Sequence, residues 1–184
     1  ITLDPASGPA DLTDFPALIS ISTSPDRDRL RTVANGGRIT SNDGYDIIFT
    51  DQNGSRLDHQ TEDYDPLTGQ YIAWVRIPVL SNTSPTTIKM LYGNPSVISD
   101  PSVRSVWTSN YKGVWHLNGA DYTDATTNGN DGTPNTTVDA DGKIAGGKDF
   151  NGSTSYIITP TNGMTSNDNN QTISIWGYYS ATPG

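Results

Sequence analysis

Nine Asn-Gly or Asp-Gly pairs punctuate this chain, at Asn35-Gly36, Asp43-Gly44, Asn53-Gly54, Asn118-Gly119, Asn128-Gly129, Asp131-Gly132, Asp141-Gly142, Asn151-Gly152 and Asn162-Gly163. Such pairs reach the left-handed backbone that tight reverse turns require, and between alternating apolar residues they mark hairpins. Period-two alternation between them predicts strands over 15–22, 45–50, 56–63, 70–80, 86–92, 112–118, 154–159 and 171–180. One short helix is expected over Pro101 to Val106, with Asp100 as its N-cap and Pro101 in its first turn. Glu62 is the only glutamate, while Asn, Thr, Ser and Gly abound, a balance that disfavours long helices. The expected fold class is all-β.

Two strands carry the most detail. From Tyr45, alternation sets Tyr45, Ile47 and Phe49 against Asp46, Ile48 and Thr50, a half-buried pattern. From Gln70 both faces are apolar, with Tyr71, Ala73, Val75 and Ile77 opposite Ile72, Trp74 and Leu80, so this strand is expected to lie centrally between two layers. Pro78 falls near its end, where a missing N–H is tolerated.

The 184 residues allow one or two domains with a real core. Without cysteine there are no disulfides and no thiolate metal sites. A formal charge of -9 repels phosphate backbones and anionic headgroups, so nucleic acid is excluded as a partner. No apolar run approaches the roughly 20 residues needed to cross a bilayer as a helix, and no membrane insertion is expected.

Several ordered blocks carry a resemblance. Ala10 to Ile19, Gly36-Gly37-Arg38-Ile39, Tyr45 to Asp51, Ala73-Trp74-Val75-Arg76-Ile77-Pro78 and Leu91-Tyr92-Gly93-Asn94-Pro95 together resemble a bacterial and archaeal domain of unknown function. Such domains occur in large secreted or surface proteins, often just before a laminin G-like domain, and in some biopolymer-transport proton-channel fusions. The second half resembles the laminin G-like, concanavalin A-like superfamily in Gly113 to Asn118, Asp124, Asn128 to Thr133, Gly146 to Gly152 and Thr172 to Trp176. The resemblance implies two tandem antiparallel β-sandwich domains. Residues 1–110 would form the small domain of unknown function, and 111–184 the N-terminal part of a concanavalin A-like jelly roll, incomplete in this chain. The remaining strands would come from a continuation of the polypeptide or from another chain by strand addition.

Glycosidases on such folds need two carboxylates flanking the sugar bond, and neither the single glutamate nor the aspartates supply the usual acidic triplet. His59 and His116 are the only histidines, with no Gly-x-Ser-x-Gly elbow, so nucleophilic catalysis is not expected. His116 reads as a structural histidine. The stretch with Asp121, Asp124, Asn128, Asn130, Asp131, Asp139 and Asp141 offers hard oxygens and tight turns. It reads either as Asx-turns capping hairpins or, by resemblance, as a calcium site with Asp124 and Asn130 as first ligands. In the last predicted strand Trp176 and Tyr178 stand among hydroxyls, a face suited to stacking on sugar rings or to packing on a sheet. Tyr64 and Tyr71 are further ring candidates, and Arg27, Arg29 and Arg31 read as a solvated or salt-bridging strip. Asn53, Asn82, Asn135, Asn151 and Asn170 open Asn-x-Ser/Thr sequons, acceptors in a glycosylating cell.

The expectation is a non-enzymatic, extracellular or cell-surface segment acting in adhesion or glycan binding, with glycans or neighbouring surface-protein domains as partners. Two alternatives stay open. One is a filament or surface-layer subunit that homo-oligomerises by β-strand exchange; the other is a carbohydrate-binding module of a polysaccharide-degrading enzyme.

Overall fold

The computed structural model describes residues 1–164 and 170–179, and it is all-β. Its contacts divide the chain into two compact units, Ile1–Val114 with Ala125–Thr127, and Trp115–Asp124 with Asn128–Gly184.

The first unit contains eight strands: β1 (Thr2–Leu3), β2 (Leu12–Ile21), β3 (Ile48–Thr50), β4 (Arg56–Leu57), β5 (His59–Tyr64), β6 (Tyr71–Leu80), β7 (Thr86–Thr87) and β8 (Lys89–Leu91). They pair antiparallel into sheets ordered β2-β6-β5, β4-β3-β8 and β1-β7. The arrangement is sandwich-like, because the buried core draws Ala17, Ile19, Tyr71, Ala73, Val75 and Ile77 from one layer and Phe49 and Leu57 from another. The Ile, Val, Leu and Phe side chains among these each contribute about 1.5 to 3 kcal/mol through removal from water.

The two-faced strand predicted from Gln70 is β6, central in its sheet. Its Tyr71, Ala73, Val75 and Ile77 face the main core, while Ile72 is buried on the other side and Trp74 packs on a second cluster of Val106, Trp107 and Ala125. Between β5 and β6 the turn runs through Asp65-Pro66-Leu67-Thr68-Gly69, not an Asn-Gly pair. Asp65 accepts the N–H groups of Leu67 (2.8 Å) and Thr68 (3.2 Å) and the Thr68 hydroxyl (2.6 Å). Gly69 has φ +80, and a Cβ there would lie 2.0 Å from the Arg27 carbonyl oxygen, so both conformation and space demand glycine.

Several predicted elements come out shorter, and the reasons are local. The strand expected from Tyr45 begins only at Ile48, since the N–H of Ile47 turns back to the Gly44 carbonyl (3.1 Å). The run 56–63 breaks at Asp58, where the chain passes from the sheet of β4 to that of β5. The helix expected at 101–106 shrinks to a 3-10 turn, Arg104–Val106. Its N-cap is Val103, with no side-chain cap bond, and not Asp100, which closes a local turn by accepting the Ser102 N–H (2.8 Å); the Val103 N–H donates to the His59 carbonyl on β5 (2.9 Å) instead of entering a helical ladder. A helical turn not predicted, α1 (Asp26–Arg29), is too short for any apolar periodicity to announce it.

Among the described residues the second unit holds four strands, β9 (Thr133–Asn135), β10 (Val138–Asp141), β11 (Gly146–Asp149) and β12 (Tyr156–Ile158), paired antiparallel as β9-β12 and β10-β11. Only β12 coincides with a predicted strand, 154–159. β10 is exposed throughout and β11 opens with two glycines, so neither shows the alternation by which strands are recognised. The strand expected at 112–118 is absent: Leu117 takes φ 58, outside extended backbone, and Val114 accepts a non-ladder bond from Ala125 (2.8 Å). The strand expected at 171–180 is likewise not formed among the described residues 170–179.

Candidate functional site

Trp176 and Tyr178, the predicted ring-stacking pair, lie in the second unit at 71% and 91% exposure, outside any assigned strand. Ile173, Ile175 and Tyr179 beside them are equally open. The Lys143 ammonium stands 6.0 Å from the centroid of the Trp176 ring, within cation–π range. An exposed indole with a cation at one face and neighbouring amides and hydroxyls can stack on the apolar side of a sugar and bind its hydroxyls. The other two candidate rings are placed differently. Tyr71 is fully buried, with its hydroxyl bonded to Thr61 (3.0 Å), and half-buried Tyr64 donates to the Leu30 carbonyl (2.7 Å). Both serve the core, and burial pushes both phenol pKa values well up.

Asp124 and Asn130 are brought together, as their shared candidacy for a cation requires. The Asn130 N–H donates to Asp124 Oδ2 (3.0 Å), and both residues are fully buried. Their polar groups are committed to turn closure, however. Asn130 Oδ1 accepts the Asn162 N–H (2.7 Å), its Nδ2 donates to the Asn162 carbonyl (2.9 Å), and Asp131 Oδ1 accepts the Asp124 N–H (2.9 Å). Calcium needs six to eight oxygens, whereas no group of three His, Cys, Asp or Glu among the described residues could hold a metal. These contacts fit the turn-capping reading.

Of the sequons, Asn53 sits exposed in the β3–β4 turn. Asn135 donates through Nδ2 to the Thr154 carbonyl (2.9 Å), Asn82 to that of Gly8 (3.3 Å), and Asn151 Oδ1 accepts three backbone N–H groups, from Ser153, Thr154 and Ser155. Asn170 is exposed. Arg27, Arg29 and Arg31 pair with Asp26 and Asp28 on and beside α1, a local strip. His116 is half-buried.

One constellation escaped sequence reasoning. On the face of β6 away from the main core, Trp74, Trp107 and Tyr111 form a ring cluster, each neighbouring pair 5.2 Å between centroids. The Trp107 indole N–H donates to Gln60 (2.9 Å), and that of Trp74 donates to Glu62. A bulge in β5 leaves Glu62 outside the pairing register, so both it and Asp63, which opposes Ile72, turn toward this face. Burial raises the Asp63 pKa, opposed by the Gln70 hydrogen bond and aided by the charges of Asp65 and Glu62. The adjacent acids in a strand-forming run were a signal for the bulge.

A two-layered antiparallel β-protein, with exposed aromatics in its second unit, is thus the class that these features define. The chain belongs to the family described as Domain of unknown function (DUF2341), whose profile matches residues 43–136. That match continues past the boundary at 110/111 expected from the sequence. Neither the curated proteins nor the solved structures contain a match. No helix among the described residues is long and apolar enough to cross a membrane.

Proposed function

We propose that this chain is a non-catalytic segment of a secreted or cell-surface protein that acts in adhesion by binding glycans. The observation that carries the reading is the exposure of Trp176 and Tyr178 beside Lys143. Large rings open to water in a chain with buried cores elsewhere mark a surface kept for a partner. The indole supplies the stacking plane, the phenol a second apolar contact with a hydroxyl at its tip, and Lys143 a donor for sugar oxygens. A laminin G-like continuation of the second unit remains part of this reading and rests on the sequence resemblance. A glycan array probed with the wild type and with Trp176→Ala tests it. Binding to a defined set of sugars that falls about tenfold or more in the variant supports the proposal, since base-like ring stacking is worth about 1 to 3 kcal/mol. Equal silence of both proteins, or equal binding, removes it.

Strand exchange has its own supporting observation. The ten-residue β2 pairs only with β6 among the described residues, which leaves its other edge open. Size-exclusion chromatography with negative-stain imaging decides between a glycan-binding monomer and a polymerising subunit.

A further inference from the structure

His59 is fully buried in the first unit, and no well-aligned hydrogen bond reaches either ring nitrogen, the backbone of Leu57 and Ile47 offering only weak contacts. The ring packs edge-on against Phe49, with centroids 5.3 Å apart, and its residue lies opposite Val75. Poorly matched buried ring nitrogens are tolerable for a neutral imidazole and unfavourable for an imidazolium, which would carry a buried charge and two N–H donors with only weak backbone acceptors. The same residue also holds a neighbouring segment. Its carbonyl accepts the Val103 N–H (2.9 Å), and two residues on, the Thr61 N–H donates to the Ser102 hydroxyl (3.0 Å). That segment leads into Val106 and Trp107, which pack against Trp74.

We infer that His59 is an acid-sensitive latch: its protonation loosens the edge of β5, releases 102–107 and uncovers the indoles of Trp74 and Trp107. The proton comes from solvent, and no covalent bond changes. The charged groups around the ring are few. Arg56 on β4 disfavours protonation, and Asp100, ahead of the 3-10 turn, favours it. β3 presents uncharged Phe49, and β6 presents the Tyr71 phenol, bonded to Thr61. Asp46, Asp58, Arg76 and Arg104 are occupied with Thr40, Arg76, Asp14 and Thr126. Burial dominates this balance and holds the His59 pKa below its ordinary 6.5, against weaker pulls from the backbone of Leu57 and Ile47. The sign follows from linkage. A histidine depressed in the fold leaves stability intact above the unfolded value and erodes it as pH falls below that value.

The test follows the folding equilibrium of the full chain by urea denaturation and tryptophan fluorescence, between about pH 7.5 and about pH 5. For wild type, the equilibrium constant should fall toward tenfold per pH unit below about pH 6.5, the slope for uptake of one proton. His59→Leu should lose that slope. Exchange of the Val103 amide, corrected for its intrinsic rate, should accelerate in acid for wild type alone. If His59→Leu does not fold, the imidazole titration of His116→Gln by NMR decides: a His59 resonance still neutral at about pH 6 supports the latch. A wild type whose stability is flat across this range, an unchanged slope in His59→Leu, or a folded-state midpoint at the ordinary value overturns it.

Discussion

A single carboxylate ties three stretches of the first unit together. Asp46 Oδ2 accepts the N–H (2.8 Å) and hydroxyl (2.8 Å) of Thr40 and the Gly93 N–H (3.0 Å), while Oδ1 accepts the Ser41 N–H (3.1 Å). Burial alone would raise its pKa, but the donors from Thr40 and Ser41 outweigh it and hold the carboxyl below its ordinary 3.8. A depressed acid stabilises the fold above its unfolded value and loses that contribution as pH falls through the folded one. Asp46→Asn turns an acceptor into a donor facing donors and should cost about 2 kcal/mol at neutral pH. Below about pH 4 its denaturation midpoint should approach that of wild type, as the native carboxyl also becomes protonated. A variant as stable as wild type at neutral pH would show that the four bonds are not needed. Asp46 was read from the sequence only as one face of a half-buried strand; its true role depends on residues 5 to 47 positions away, which no local pattern displays.

At the level of elements, the most informative pairing is β6 with the rings that cover its second face. Trp107 is buried between Trp74 and Tyr111, so Trp107→Ala should destabilise the first unit by about 3 kcal/mol or more in urea denaturation, through lost transfer energy and a cavity. A loss below about 1 kcal/mol would mean that the cluster is a loose cover. The central position of β6 was legible in the sequence because its apolar residues occupy both alternating sets. The covering segment was not, since 101–106 carries helix-start signals that the β5 edge overrides by capturing the Val103 N–H. β10 and β11 were missed for the opposite reason: Asp139 faces Lys148 and Ala140 faces Gly147, pairings held by backbone with little apolar contrast.

For the whole molecule, the all-β class followed from composition and turn chemistry, which act everywhere along the chain. The candidate cation pair was found together because turn geometry gathers Asx residues, yet Asp124 Oδ2 and Asn130 Oδ1 accept backbone N–H groups. The melting temperature in millimolar calcium should therefore match that in chelator. A rise would show through mass-action linkage that the folded state binds the ion after all. The exposed tail rings were identified by residue type, whereas their detachment from any sheet reflects the lack of a pairing strand among the described residues. β6, meanwhile, is a party wall with a tenant on each side. Plaster cannot crack on one side of so thin a partition without being felt on the other, and so the two clusters of the first unit should fail as one.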